Sequence, residues 1–206
     1  MNRARKTQVA VKEEIISSPP KSRVRDRIMQ TASDLFYRYG IHAVGVDSIA
    51  SKAGTNKMSF YRNFASKDEL VAEYLRGEER EGLLWWDETL AAHEGNPRLQ
   101  VESLFDVLVE NNCEEDSRGC ALANAAVEIT EPDHPARPVI EKYKADMRRR
   151  FRQLARDMGA REPDALGDAL MLLWEGAYLT RVTMGQNGPV QGAAKAARAL
   201  IAAYTD

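Results

Sequence analysis

Apolar residues along this chain recur in threes and fours and never in sustained alternation. Val24, Ile28, Ala32, Leu35, Phe36 and Tyr39 fall on one face of a 3.6-residue period, and Gly40 follows them as a helix-ending glycine. Two short helices, over about 46–53 and 57–64, flank Gly54. Ser66 and Glu69 have capping-box spacing and open a long helix that carries Leu70, Val71, Tyr74 and Leu75 toward His93. Beyond the Gly95-Asn96-Pro97 break, the pattern predicts helices over 99–112, 120–131, 139–158 and 163–184, then an alanine-rich one ending near Tyr204. The expected fold is all-α, with about nine helices: three short ones, then a larger bundle.

Composition agrees with that pattern. Gly and Pro total only 21 of 206 residues, which disfavours a sandwich, collagen or a wholly disordered chain. The net charge of −2 conceals a division. Residues 1–64 carry a net charge of +7 and the remainder −9, so one end is suited to meet a polyanion, although short basic stretches also serve simply to solubilise. Residues 1–22 lack periodicity, end in Ser17-Ser18-Pro19-Pro20 and read as a flexible basic arm, without the apolar core of a secretory signal. No apolar run approaches the ~20 residues needed to span a bilayer. Two cysteines, Cys113 and Cys120, are too few for a disulfide framework, and a reducing cytoplasmic location is expected.

The most informative stretch is 46–64. Two short helices must cross closely there, which explains small Ala50 and Ala53 at the crossing and Gly54 at the turn. Ile49, Phe60 and Phe64 supply apolar pins against the first helix. The second short helix then turns Asn56, Lys57, Met58, Ser59, Tyr61 and Asn63 outward: hydrogen-bonding groups, a thioether and a phenol, on an element small enough to enter a major groove. An ordinary helical corner with a solvated face is the competing reading.

These residues resemble the tetracycline-repressor-type (TetR) family of bacterial transcriptional regulators. The match lies in Ala32-x-x-Leu35-Phe36-x-x-x-Gly40, in Asp47-x-Ile49-Ala50-x-x-Ala53-Gly54, and in Phe60-Tyr61-x-x-Phe64-x-Ser66-Lys67-Asp68-Glu69-Leu70. The resemblance implies a three-helix helix-turn-helix DNA-binding domain over 23–66 and an effector-binding and dimerisation domain over 67–206. It implies that Lys57, Met58 and Ser59 face base edges while Tyr61, Asn63 and Lys67 contact phosphates. Thr55 and Gly45-Val46 depart from the usual pattern, and Asp47 is acidic where some members carry a base-contacting residue, so no base-reading role is assigned to the second helix. The resemblance further implies a homodimer through the last two helices, where Ala193, Ala194, Ala196, Ala197 and Ala199 permit close approach, and hence a palindromic operator in double-stranded DNA.

Members of the family commonly bind a small effector inside the bundle. Its candidate lining here is Trp86, Phe105, Met171, Trp174 and Tyr178, together with Cys120, Asn124 and Glu128 at four-residue steps on the sixth helix. An aromatic stripe also serves as plain core, and a polar stripe also bonds to neighbouring backbone. Cys120 is either a thiol switch or an inert thiol.

Catalytic spacings are missing. His42, His93 and His134 fall in separate segments, and there is no P-loop, no GxGxxG after a strand and no GxSxG elbow, so neither cofactor nor metal is expected. The expected function is a DNA-binding repressor released by a small molecule. An all-α thiol-dependent redox enzyme and a helical adaptor without DNA binding are the alternatives.

Overall fold

The computed structural model describes residues 24–112, 118–185 and 188–206. The basic arm over 1–22 and Cys113 lie outside the described residues. Nine α-helices run in chain order among those described: α1 Val24–Tyr39, α2 Val46–Lys52, α3 Lys57–Asn63, α4 Lys67–Ala91, α5 Pro97–Asn112, α6 Ala121–Glu128, α7 Arg137–Asp157, α8 Pro163–Met184 and α9 Ala193–Thr205. A 3₁₀ turn over Pro189–Gly192 leads into α9.

Three of the boundaries that differ from the sequence expectation do so for a local reason. α5 begins two residues early because the Asn96 side chain accepts a hydrogen bond from Leu99 N at 3.1 Å, with Pro97 in the first turn, where its missing N–H has no consequence. α7 likewise starts at Arg137, with Pro138 inside its first turn. α6 stops at Glu128 rather than near residue 131. His42 Nε2 lies 2.7 Å from the Glu128 carbonyl oxygen and Arg137 donates to that of Ile129, so tertiary partners take up the last carbonyls. Pro132 disfavours a helical Glu131 as well.

α1, α2 and α3 pack as a tripod around Ile28, Ala32, Leu35, Phe36, Ile49 and Phe60, all buried. α4 closes this core with Leu70, Val71 and Tyr74, the last 5.7 Å from the Phe36 ring. Arg25 joins the two helices from outside, pairing with Glu73 and lying 4.7 Å over the Phe64 ring. At 1.5 Å per residue, the 25 residues of α4 reach about 37 Å, so the same helix runs on into the bundle.

In the bundle, α7 and α8 are in the most intimate contact. A Cβ at Gly167 would stand 2.6 Å from Arg152 Cα, so only glycine permits this approach. Alongside it runs a ladder of ions: Asp168 accepts from both Arg148 and Arg152, and Asp164 accepts from Arg152 and Arg156. The hydrogen bonds from Arg148 and Arg152 hold the Asp168 carboxyl well below the usual carboxylate range. α9 is fixed to α5 by Arg198, which pairs with Glu102 and Asp106.

Candidate nucleic-acid interface

The turn between α2 and α3 is built to be tight. Gly54 has φ +66°, Gly54 N donates to Ser51 O and Thr55 N to Ala50 O at 2.9 Å, which together form a Schellman motif. Arg27 reaches across from α1 and donates to Ala53 O at 3.2 Å, fixing the turn to the tripod. Asn56 then caps α3, its side chain accepting from Ser59 N at 2.9 Å. Phe60 is wholly buried and Phe64 nearly so, which sets the rotation of the short helix.

With that rotation fixed, Met58 is 67% exposed and Tyr61 50% exposed, and Lys57 also lies at the surface. Ser59 and Asn63 are half-buried, and Asn63 Nδ2 donates to Ser59 O at 2.8 Å, steadying the carboxamide on its own helix. Lys57 Nζ is 3.3 Å from Asp47 on α2, with both side chains largely in solvent. Arg62, which the sequence pattern does not single out, is exposed on the same helix with its guanidinium 3.5 Å from Met58 Sδ.

Lys67 occupies the first turn of α4, behind Ser66, whose hydroxyl accepts from Glu69 N at 3.0 Å. Burial lowers the Lys67 pKa, against the opposing pull of Asp68 and Glu128. An ammonium at a helix N-terminus faces the positive end of the peptide dipoles, so an anion arriving there would meet both the lysine and unpaired amides. Lys57, Met58, Ser59, Tyr61 and Asn63 thus share one seven-residue helix, with Lys67 beginning the next.

The eight residues proposed for an effector separate into two groups. Trp86, Phe105, Trp174 and Tyr178 join Trp85 and Phe151 in one aromatic cluster with ring centroids 4.8–6.2 Å apart. Trp86 Nε1 is buried there without a hydrogen-bond partner among the described residues. Met171 is half-buried beside that core. Cys120 lies at the start of α6 with its Sγ 3.8 Å from Lys144 Nζ, and Lys144 is itself paired with Glu175 at 2.6 Å. Burial pushes the phenols of Tyr74, Tyr143 and Tyr178 well above the usual tyrosine range.

Asn124 and Glu128 serve a joint between α6 and α1. Glu128 Oε2 accepts from Ile41 N at 2.7 Å and from His42 N at 3.0 Å, while Asn124 Nδ2 donates to Arg118 O at 2.8 Å. Arg118 in turn donates from its backbone N to the Tyr37 hydroxyl and from its guanidinium to Arg38 O, and Tyr37 donates to Gly119 O. The carbonyls and amides at the C-terminal end of α1 are therefore held by the two ends of the 118–128 segment. Phe36, Gly40, Tyr74 and Ala125 line a small cleft at this joint.

Comparison with known proteins places this arrangement. The family model for bacterial regulatory proteins of the tetR family matches residues 28–74, from α1 into α4. The chain is 32% identical over 116 residues to the HTH-type transcriptional activator FasR of Mycolicibacterium smegmatis, which covers 55% of this chain and 51% of that protein. The match thus spans about half the length of that relative. It is 24% identical over 173 residues to the HTH-type transcriptional repressor DhaR of a Mycobacterium species, across 76% of this chain and 81% of the relative. A TetR-family regulator from Streptomyces coelicolor has the same fold, with a TM-score of 0.83 at 24% identity over 89% of this chain and 96% of that one. A regulator of the same type from Streptomyces avermitilis gives a TM-score of 0.78 at 29% identity, over 88% and 98% of the two chains.

Proposed function

Because the chain belongs to the TetR family of bacterial regulatory proteins, we propose that it is a sequence-specific DNA-binding regulator. In this reading it is a cytoplasmic repressor, released from a palindromic operator when a small molecule binds the C-terminal bundle. The observation that carries the proposal is the braced, solvent-facing surface of α3, a short helix with lysine, thioether, phenol and hydroxyl groups behind a glycine turn. Lys57, Met58 and Ser59 face base edges. Tyr61, Asn63 and Lys67 contact phosphates. Residues 23–66 are the reading unit and residues 67–206 bind the effector and dimerise. The relatives' names, an activator and a repressor of transcription, support a regulator over the thiol-enzyme and adaptor alternatives.

A palindrome requires a two-fold dimer, and α8 offers a suitable surface. Leu172 and Leu179 are 74% and 64% exposed at a spacing of two turns, with Val182 and Met184 further along. Apolar residues exposed in this number along one helix favour burial against a second copy. α9 adds exposed Ala196, Ala199 and Ala203, whose small side chains permit close approach. To read such a palindrome, a dimer paired through α8 and α9 needs its two recognition helices about 34–36 Å apart, one duplex turn. Trp86, Phe105, Met171, Trp174 and Tyr178, with Cys120 at their edge, receive the effector. An effector that binds better to the dimer with its recognition helices wrongly spaced draws the protein off its operator, and only that difference in affinity does so. Glu128 and Asn124 link α6 to α1, and α4 belongs to both units, so a shift in the bundle has two routes to α3.

Lys57→Ala and Lys67→Ala test the division of roles on a bound duplex and a scrambled one. Loss of a base contact lowers the ratio of the two affinities, whereas loss of a phosphate contact weakens both about equally and reduces the salt dependence by about one phosphate. The expected result is the first pattern for Lys57 and the second for Lys67. Equal loss of discrimination in both variants would remove the assignment.

A further inference from the structure

We propose that Arg62 is a specificity-determining residue of the recognition helix and that each half-site it reads contains a guanine. This rests on the DNA-reading role proposed above and adds to it the base that is read. α3 advances about 100° per residue, and Phe60, its buried residue, defines the core direction. Arg62 then points about 160° from the core, with Met58 about 40° to one side of it and Ser59 about 60° to the other. Lys57 lies only about 60° from the core direction, on the side where it meets Asp47 of α2. The centre of the outward surface is therefore an arginine beside a methionine, and the lysine is at its margin.

The chemistry of Arg62 fits that central position. Its guanidinium rests 3.5 Å from Met58 Sδ one turn earlier, and no acidic side chain is paired with it among the described residues. A thioether is a weak acceptor, so this contact directs the fork along the outward surface and is readily exchanged for a better acceptor. Guanine offers O6 and N7 side by side in the major groove, which a planar guanidinium meets with two parallel N–H donors. The Lys57 ammonium is a single point of charge already 3.3 Å from a carboxylate, and it lacks that geometry.

The test is a selection of bound sequences from a random duplex pool by the full-length protein and by its Arg62→Lys and Arg62→Ala variants. Affinities for the best wild-type site and for scrambled DNA are measured alongside. The wild type is expected to enrich a motif with one strongly preferred G·C pair in each half-site. Both variants lose the preference at that pair and retain the others, and affinity for the best site falls about tenfold or more. Arg62→Lys, which keeps the charge and loses the fork, binds scrambled DNA as the wild type does. Because Arg62 is exposed, unchanged helical circular dichroism and thermal midpoints show that the variants fold. A variant motif identical to that of the wild type, with affinity reduced uniformly, would make Arg62 a phosphate contact and overturn the proposal. A wild-type protein that enriches no motif would overturn the DNA-reading role itself, an outcome distinct from the first.

Discussion

Replacing Glu128 by alanine removes one carboxylate oxygen that satisfies two backbone donors, Ile41 N at 2.7 Å and His42 N at 3.0 Å. The two losses are unequal. Ile41 is buried, so its N–H forfeits a partner that water does not readily replace, and a buried unsatisfied donor costs about 1–3 kcal/mol. His42 is exposed, and its N–H is rehydrated at little cost. The expected destabilisation of Glu128→Ala is about 2 kcal/mol, or roughly 4–8 °C in thermal midpoint for a chain of this length. Glu128→Gln keeps an oxygen able to accept both bonds and loses only the charge assistance, so about 1 kcal/mol is expected. Urea unfolding of the full-length protein at fixed protomer concentration measures both changes, because concentration itself shifts the stability of a dimer. A Glu128→Ala protein within 0.5 kcal/mol of the wild type, or a glutamine variant less stable than the alanine one, would refute the reasoning.

Other consequences are equally specific. Gly167→Ala forces a methyl to within 2.6 Å of Arg152 Cα, so the overpacking cost of about 1–3 kcal/mol outweighs a helix-propensity gain of about 1 kcal/mol and the urea midpoint falls. Gly77→Ala, where the added Cβ meets only the tip of Arg80 at 4.0 Å, raises it. Asp168 has a carboxyl pKa depressed in the folded state, so its contribution to stability is present above the unfolded value of about 3.9 and is lost as pH falls below it. Asp168→Asn therefore lowers the urea midpoint at pH 7, and the gap from the wild type narrows in titrations taken below about pH 4. Leu179→Arg places a charge on the exposed surface of α8 and yields folded monomer in sedimentation velocity; a persistent dimer would put the interface elsewhere.

The parts of this fold that were legible in the sequence are those determined within a few residues. Ile28, Ala32, Leu35 and Phe36 mark the buried stripe of α1; Gly54 marks the turn; Ser66 and Glu69 open α4. What was illegible depends on partners distant in sequence. The end of α6 is fixed by His42, 86 residues earlier, and by Arg137. Cys120, Asn124 and Glu128 form one polar stripe in sequence, yet in space they divide: the thiol meets Lys144 of α7 and the other two brace the junction with α1. The basic stretch Arg148-Arg149-Arg150 is resolved as three separate ion pairs, with Asp168, Asp146 and Asp87. Arg62 stands at a position the sequence pattern leaves open between Tyr61 and Phe64, and only the rotation imposed by buried Phe60 turns it away from the core.

The central claim is that a dimer of this chain reads double-stranded DNA through α3. Its most direct test is a selection of bound sequences from a random duplex pool by the purified full-length protein, read at two salt concentrations. The account predicts an enriched palindrome whose half-sites are one duplex turn apart, with overall binding that weakens steeply as salt rises while the preferred sequence stays the same. Absence of any enriched sequence at both salt concentrations, from protein shown to be dimeric and folded, would contradict it.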